Sequence, residues 1–91
     1  MFVVVSYDIV EDKTRNKVAN ILKDYGKRVQ YSVFECIITE ELLKRMVNRV
    51  QKVINLEEDS FRVYRLCKDC KNRIDVYGKG TVTEDKEVYI V

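Results

Sequence analysis

Asp8 closes the stretch Val3-Val4-Val5-Ser6-Tyr7-Asp8, where a run of apolar residues meets a carboxylate and then, from Glu11 onward, a dense series of charges. A lone acid at a strand end is most often a hydrogen-bond acceptor for its loop. A second reading starts from symmetry. If the strand lies near a two-fold axis, each of two copies brings one Asp8 to the same cleft. Two close carboxylates repel, and a cation between them stabilises both charges. Magnesium suits such a sparse site, because it needs one or two carboxylates, keeps several waters and binds phosphate oxygens. The chemistry implied is metal-assisted phosphodiester hydrolysis in a chain that contains no histidine.

Candidate phosphate contacts surround it: Arg15, then Lys27-Arg28, and further on Arg45, Arg49 and Lys52 at i, i+4, i+7. That last stripe reads either as an ordinary solvated helix face paired with acids elsewhere or, doubled in a dimer, as a surface for a duplex backbone. Net charge is only +2, so any nucleic-acid signal must be local. Cys36, Cys67 and Cys70 are an odd number, which speaks against a disulfide framework and fits a reducing compartment. Cys67-Lys68-Asp69-Cys70 has the spacing of half a zinc site, which a second chain would have to complete; two residues in a loop after a strand is the simpler reading.

The elements that must position these residues follow from periodicity. Phe2–Asp8, nearly continuous in apolarity, predicts a central strand covered on both faces. Val18, Ile21, Leu22 and Tyr25 predict a helix over 13–25, with Asp12 as N-cap and Gly26 as its stop. Residues 27–39 place Val29, Tyr31, Val33 and Ile37 on one face and Phe34, Cys36 and Ile38 on the other, as one bent strand or as a hairpin. Thr39-Glu40-Glu41 opens a second helix whose apolar stripe is Leu42, Leu43, Met46, Val47, Val50, Val53 and Ile54. Ser60–Cys67 predicts a strand, 70–73 a charged loop before Ile74–Tyr77, Gly78-Lys79-Gly80 a turn, and Val88–Val91 a short terminal strand.

This order predicts an α+β ferredoxin-like sandwich of 91 residues in a single domain, with an antiparallel sheet and two helices on one face. The strands read as apolar on both sides, so the other face is expected to pack on a second copy in a two-fold homodimer. No apolar run approaches the roughly 20 residues that cross a bilayer, and no leader precedes Phe2, so a cytoplasmic protein is expected.

Together, Val3–Ile9, Arg15 and the segment Gly26–Cys36 (GKRVQYSVFEC) resemble the CRISPR-associated Cas2 adaptation proteins, a family often labelled endoribonucleases. The resemblance covers nearly the whole chain. It implies a homodimer whose two Asp8 carboxylates bind a divalent metal, usually magnesium. By position, the functional residues fall on Tyr7, Asp8, Arg15, Arg28 and Phe34, with Ser32 a weaker candidate. It also implies that strand 88–91 joins the partner's sheet, and that an integrase is a partner in spacer acquisition. Two activities follow as expectations: a metal-dependent endonuclease acting on single-stranded RNA or double-stranded DNA, or a non-catalytic DNA-binding adaptor. An RNA-recognition-motif domain shares this order of elements, but no segment here carries its base-stacking strand signature. A ligand-sensing regulator would rest on fold alone.

Overall fold

Along β1 (Phe2–Asp8), Val3, Val5 and Tyr7 alternate with Val4, Ser6 and Asp8, and this period of two sorts the strand onto two faces of a sheet. The computed structural model describes residues 1–83. Its further elements are α1 (Asp12–Leu22), β2 (Gly26–Gln30), β3 (Val33–Ile37), α2 (Glu40–Gln51), β4 (Ser60–Leu66) and α3 (Lys68–Lys71). The sheet runs β2-β3-β1-β4 and every neighbouring pair is antiparallel. This is the ferredoxin-like arrangement expected from the sequence, with β1 central.

The register fixes the faces. Val3 opposes Cys36 and Arg65, Val5 opposes Phe34 and Val63, and Tyr7 opposes Phe61. These residues turn to the side on which α1 contributes Val18, Ala19 and Leu22 and α2 contributes Leu43, Met46 and Val50 to one buried core, against which Phe61 and Val63 pack while Arg65 stays exposed at the rim. Each fully buried Leu, Val or Phe there contributes about 1.5–3 kcal/mol. On the open side stand Val4, Ser6, Val33, Glu35, Ile37, Arg62 and Tyr64. That face is mixed rather than uniformly apolar, because the alternation of β3 and β4 puts Glu35 and Arg62 on it.

α2 starts as its sequence demands: the Thr39 hydroxyl accepts the Leu42 N–H at 3.2 Å, satisfying one of the donors left free in the first turn. Elsewhere the structure departs from expectation. α1 ends at Leu22, not at residue 25, and its N-cap is Glu11, with no side-chain capping bond. Asp12 lies inside the first turn and turns its carboxylate to Arg15 instead. Gly26 does not stop the helix; it is the first residue of β2. A Cβ there would stand 2.5 Å from the Cys36 sulfur and closer still to the Glu35 carbonyl oxygen, so the position admits only glycine for reasons of approach.

Residues 27–39 form a hairpin, with Tyr31 and Ser32 at the turn and an irregularity between Arg28 and Gln30 that shifts the register. The expected charged loop at 70–73 begins as the short helix α3, whose first residue follows Cys67 as cap. Gly78 and Gly80 turn the chain with φ of 91° and 109°, as their sequence predicts. Thr83 then lies buried against the open face, its N–H and hydroxyl both donating to Glu35 Oε1 at 2.9 and 2.7 Å. This pairing answers the cost of a carboxylate buried among apolar neighbours. The predicted strand 88–91 lies outside the described residues. Among those described, no helix is long and apolar enough to cross a membrane.

Candidate functional site

The C-terminal end of β1, the β2–β3 turn and the first residue of β4 meet at one end of the sheet: Tyr7 N–H donates to the Ser32 carbonyl at 3.1 Å, and Asp8 stands opposite Ser60. Asp8 is exposed and makes no ion pair among the described residues. By alternation it belongs to the open face, where the sheet carries no helix.

Tyr7 belongs to the other face. The residue is 5% exposed, and its ring lies against Phe34 with centroids 6.4 Å apart. Its hydroxyl accepts from Arg28 Nη2 at 3.3 Å and points to the Tyr31 carbonyl at 3.5 Å. The Arg28 guanidinium carbon sits 5.4 Å from the centre of the Phe34 ring, a cation–π arrangement that anchors the group while leaving it exposed. Tyr7, Arg28 and Phe34 are therefore one cluster, adjacent to Asp8 along the chain and separated from it by the thickness of the sheet.

Arg15 reaches back from α1 and closes the β1–α1 loop. Its Nε and Nη2 donate to the Ile9 carbonyl at 3.2 and 2.9 Å, Nη2 also to Val10 at 3.2 Å, and Nη1 to Asp12 at 2.5 Å. The Asp12 hydrogen bond raises the guanidinium's pKa above its ordinary value, opposed by partial desolvation and helped by the Tyr31 hydroxyl. Most of its donor capacity is spent on the loop. Asp59, which no sequence motif singles out, braces the same loop from the other side by accepting the Val10 and Asn55 N–H groups at 3.0 and 2.9 Å. Tyr31 is likewise absent from the residues that sequence reasoning selects for function; it stands 68% exposed in the turn beside this cluster. An aromatic residue between Gln30 and Ser32 in a polar turn is the signal that marks it.

The predicted stripe on α2 is not three free cations. Arg45 pairs with Glu41 at 3.3 Å, and Arg49 pairs with Asp24 at 3.0 Å and donates to the Tyr25 hydroxyl at 3.1 Å. Lys52 is exposed at the helix end. All three lie in the helix layer, across the sheet from the face of Asp8.

A divalent cation asks for several oxygen ligands. Among the described residues no three His, Cys, Asp or Glu side chains gather to hold one, and both oxygens of nearby Asp59 are occupied. The donor set fits magnesium only as half of a site: one exposed hard oxygen donor per chain, to be completed by a second copy.

The comparisons with known proteins agree on one family. The model described as CRISPR associated protein Cas2 matches residues 1–74. A CRISPR-associated endoribonuclease Cas2 of Chloroflexus aurantiacus is 45% identical over the whole of this chain and 98% of its own length. Among solved structures, Cas2 of Streptococcus pyogenes superposes with a TM-score of 0.77 at 36% identity, over 86% of this chain and all of that one. A chain of a partial Cas6-RT-Cas1–Cas2 complex superposes with a TM-score of 0.67 at 33% identity, over 82% of this chain and 88% of that one.

Proposed function

Because the chain belongs to the CRISPR-associated Cas2 family, we propose that it is a metal-dependent CRISPR-associated endonuclease whose site forms where two copies meet, working beside the CRISPR integrase in spacer acquisition. The observation that carries this reading is Asp8: an exposed carboxylate at the end of the central strand, without an ion-pair partner among the described residues, on the face of the sheet left free of helices. A two-fold homodimer through that face brings two such carboxylates together, each supplying one or two oxygens. Magnesium bound there supplies charge stabilisation at the phosphodiester and a more acidic water.

The chain's own residues then divide the work. Asp8 holds the ion. Arg28, over the Phe34 ring and steadied by the Tyr7 hydroxyl, presents its remaining N–H groups to a phosphate. Arg15 is a positioning residue, since it fixes the loop that follows Asp8 and leaves little of itself for substrate. The substrate is single-stranded RNA or double-stranded DNA, and the compartment is the cytoplasm, which three unpaired thiols fit. The name of the Chloroflexus relative supports the nuclease, and the complex containing Cas1 supports the integrase partner.

A second reading, a non-catalytic DNA-holding adaptor, is favoured by one observation: the chain has no histidine, and both oxygens of nearby Asp59 are occupied by the Val10 and Asn55 N–H groups. Cleavage of labelled single-stranded RNA and double-stranded DNA, with and without magnesium, by wild type and Asp8→Ala decides between them. Metal-dependent cutting by wild type alone establishes the nuclease. Equal cutting by both proteins, or none by either, rejects it and leaves the adaptor.

A further inference from the structure

The Cys67 and Cys70 sulfurs lie 3.1 Å apart at the exposed end of β4, and the Cys67 sulfur also accepts the Cys70 N–H at 3.3 Å. The turn that carries them is held in place, because the Lys71 ammonium sits 5.2 Å over the ring of Phe2, a buried residue at the start of β1. Neither thiol takes part in the site around Asp8. We propose that Cys67 and Cys70 are a redox-modification site, a dithiol that closes to an intramolecular disulfide by exchange with a small-molecule disulfide.

The separation suits disulfide closure. Two thiolates on one tetrahedral zinc, each about 2.3 Å from the ion, stand roughly 3.8 Å apart. The two sulfurs here are closer than that and need only a short approach to reach bonding distance. Exposure supplies the access that exchange requires. Cys36 shows the contrast: buried in the core, its thiol pKa is pushed up to about 12, chiefly by desolvation, so it stays protonated and out of reach.

The order of events follows from the local hydrogen bonds. Cys67 is held below the ordinary thiol pKa, first by the Cys70 thiol and then by the Cys70 backbone N–H, whereas Cys70 is raised by the same partnership. The Cys67 thiolate attacks one sulfur of the small disulfide, whose S–S bond breaks and whose departing sulfur leaves as a thiolate that takes up a proton. The Cys70 thiol then loses its proton and attacks the Cys67 sulfur, forming the intramolecular bond and expelling the second small thiol. Two protein thiols are oxidised and one small disulfide is reduced to two thiols.

The test uses the full chain, reduced, freed of reductant and metal, and exposed to oxidised glutathione without oxygen. Denaturing alkylation with intact mass should show the three reactive thiols falling to one, two glutathione equivalents released and no cross-linked dimer; peptide mapping should join Cys67 to Cys70. Cys67→Ser and Cys70→Ser, checked for folding by circular dichroism, should each stop at a glutathione adduct on the remaining exposed cysteine. Three thiols persisting in wild type, a stable adduct in wild type, or a disulfide between chains overturns the proposal. So does stoichiometric zinc uptake that shields both thiols from exchange.

Discussion

Tyr7 and Asp8 are consecutive, yet they serve opposite faces of the sheet: the Tyr7 hydroxyl meets Arg28 at 3.3 Å on the helix-covered side, while Asp8 ends the open side opposite Ser60. A period of two makes this unavoidable once β1 is a strand. The pair therefore does not line one cleft within a single chain. If the two act on one substrate, the substrate must pass around the end of the sheet where the β2–β3 turn and β4 begin.

Under the proposed nuclease function, that geometry separates phosphate binding from metal holding. Tyr7→Phe removes the acceptor of Arg28 and should cost about 0.5–1.5 kcal/mol of stability. Arg28→Ala, an exposed change, should leave the fold intact but lower cleavage by roughly tenfold or more, on the order of 1.4 kcal/mol of transition-state stabilisation. Arg28→Lys should recover only part of this, because an ammonium lacks the planar fork that rests on Phe34. Thermal unfolding beside cleavage kinetics checks the split, and Arg28→Lys matching wild type would remove the planar-fork argument.

Gly26→Ala should destabilise the protein by about 1–3 kcal/mol, since the added methyl runs into the Cys36 sulfur and the Glu35 carbonyl. The carbonyl belongs to the paired strand and cannot step aside. For this reason Gly26→Ala should remain costly when introduced into a Cys36→Ala background. Urea unfolding of the two pairs of proteins measures it; a cost that vanishes in that background would place the clash on sulfur alone.

The sequence was informative where local chemistry decides the outcome. Thr39 ahead of two glutamates announces the start of α2, and the stripe from Leu42 to Ile54 announces the face it buries. Gly26 shows the limit: a glycine just after an apolar periodic segment is the signal of a helix stop and equally of a close strand crossing, and only the presence of β3 above it distinguishes them. α3 was hidden because its cap is a cysteine sulfur, an unusual acceptor. The α2 cations were legible as a stripe, but the partner of Arg49, Asp24, is remote in sequence and comes near only when α1 and α2 pack. Which residues surround Asp8 in a dimer is a property of two chains, and one sequence states only one side of it.

A pH dependence follows from Glu40, which Arg65 binds at 2.7 and 3.2 Å. That hydrogen bond, before the Coulombic attraction of the same arginine, holds the Glu40 pKa below its ordinary 4.5. A depressed carboxylate contributes stability that is present above the unfolded-state pKa and lost as pH falls through the folded-state value. Wild type should thus exceed Arg65→Gln in melting temperature at pH 7, and the two should converge in acid below that folded-state value. Both groups are exposed, so added salt should shrink the difference at neutral pH.

The basic stripe of α2 calls for unequal treatment of its members. Arg49 ties α2 to the turn after α1 through Asp24 and lies 5.5 Å over the Tyr25 ring, so Arg49→Glu opposes Asp24 with a like charge and weakens the fold itself. Weaker DNA binding in that variant would not separate direct recognition from unfolding. Arg45, whose only partner among the described residues is the exposed Glu41 one turn away, and Lys52 at the helix end are the clean probes. If α2 lies along a duplex backbone, Arg45→Gln with Lys52→Gln should weaken binding of unrelated sequences equally. It should also flatten the plot of log affinity against log salt by about 0.9 for each phosphate no longer neutralised, with the melting temperature unchanged. An unaltered salt slope would return the stripe to an ordinary solvated face and move the nucleic-acid surface to the end of the sheet, where Arg28 and Tyr31 are exposed.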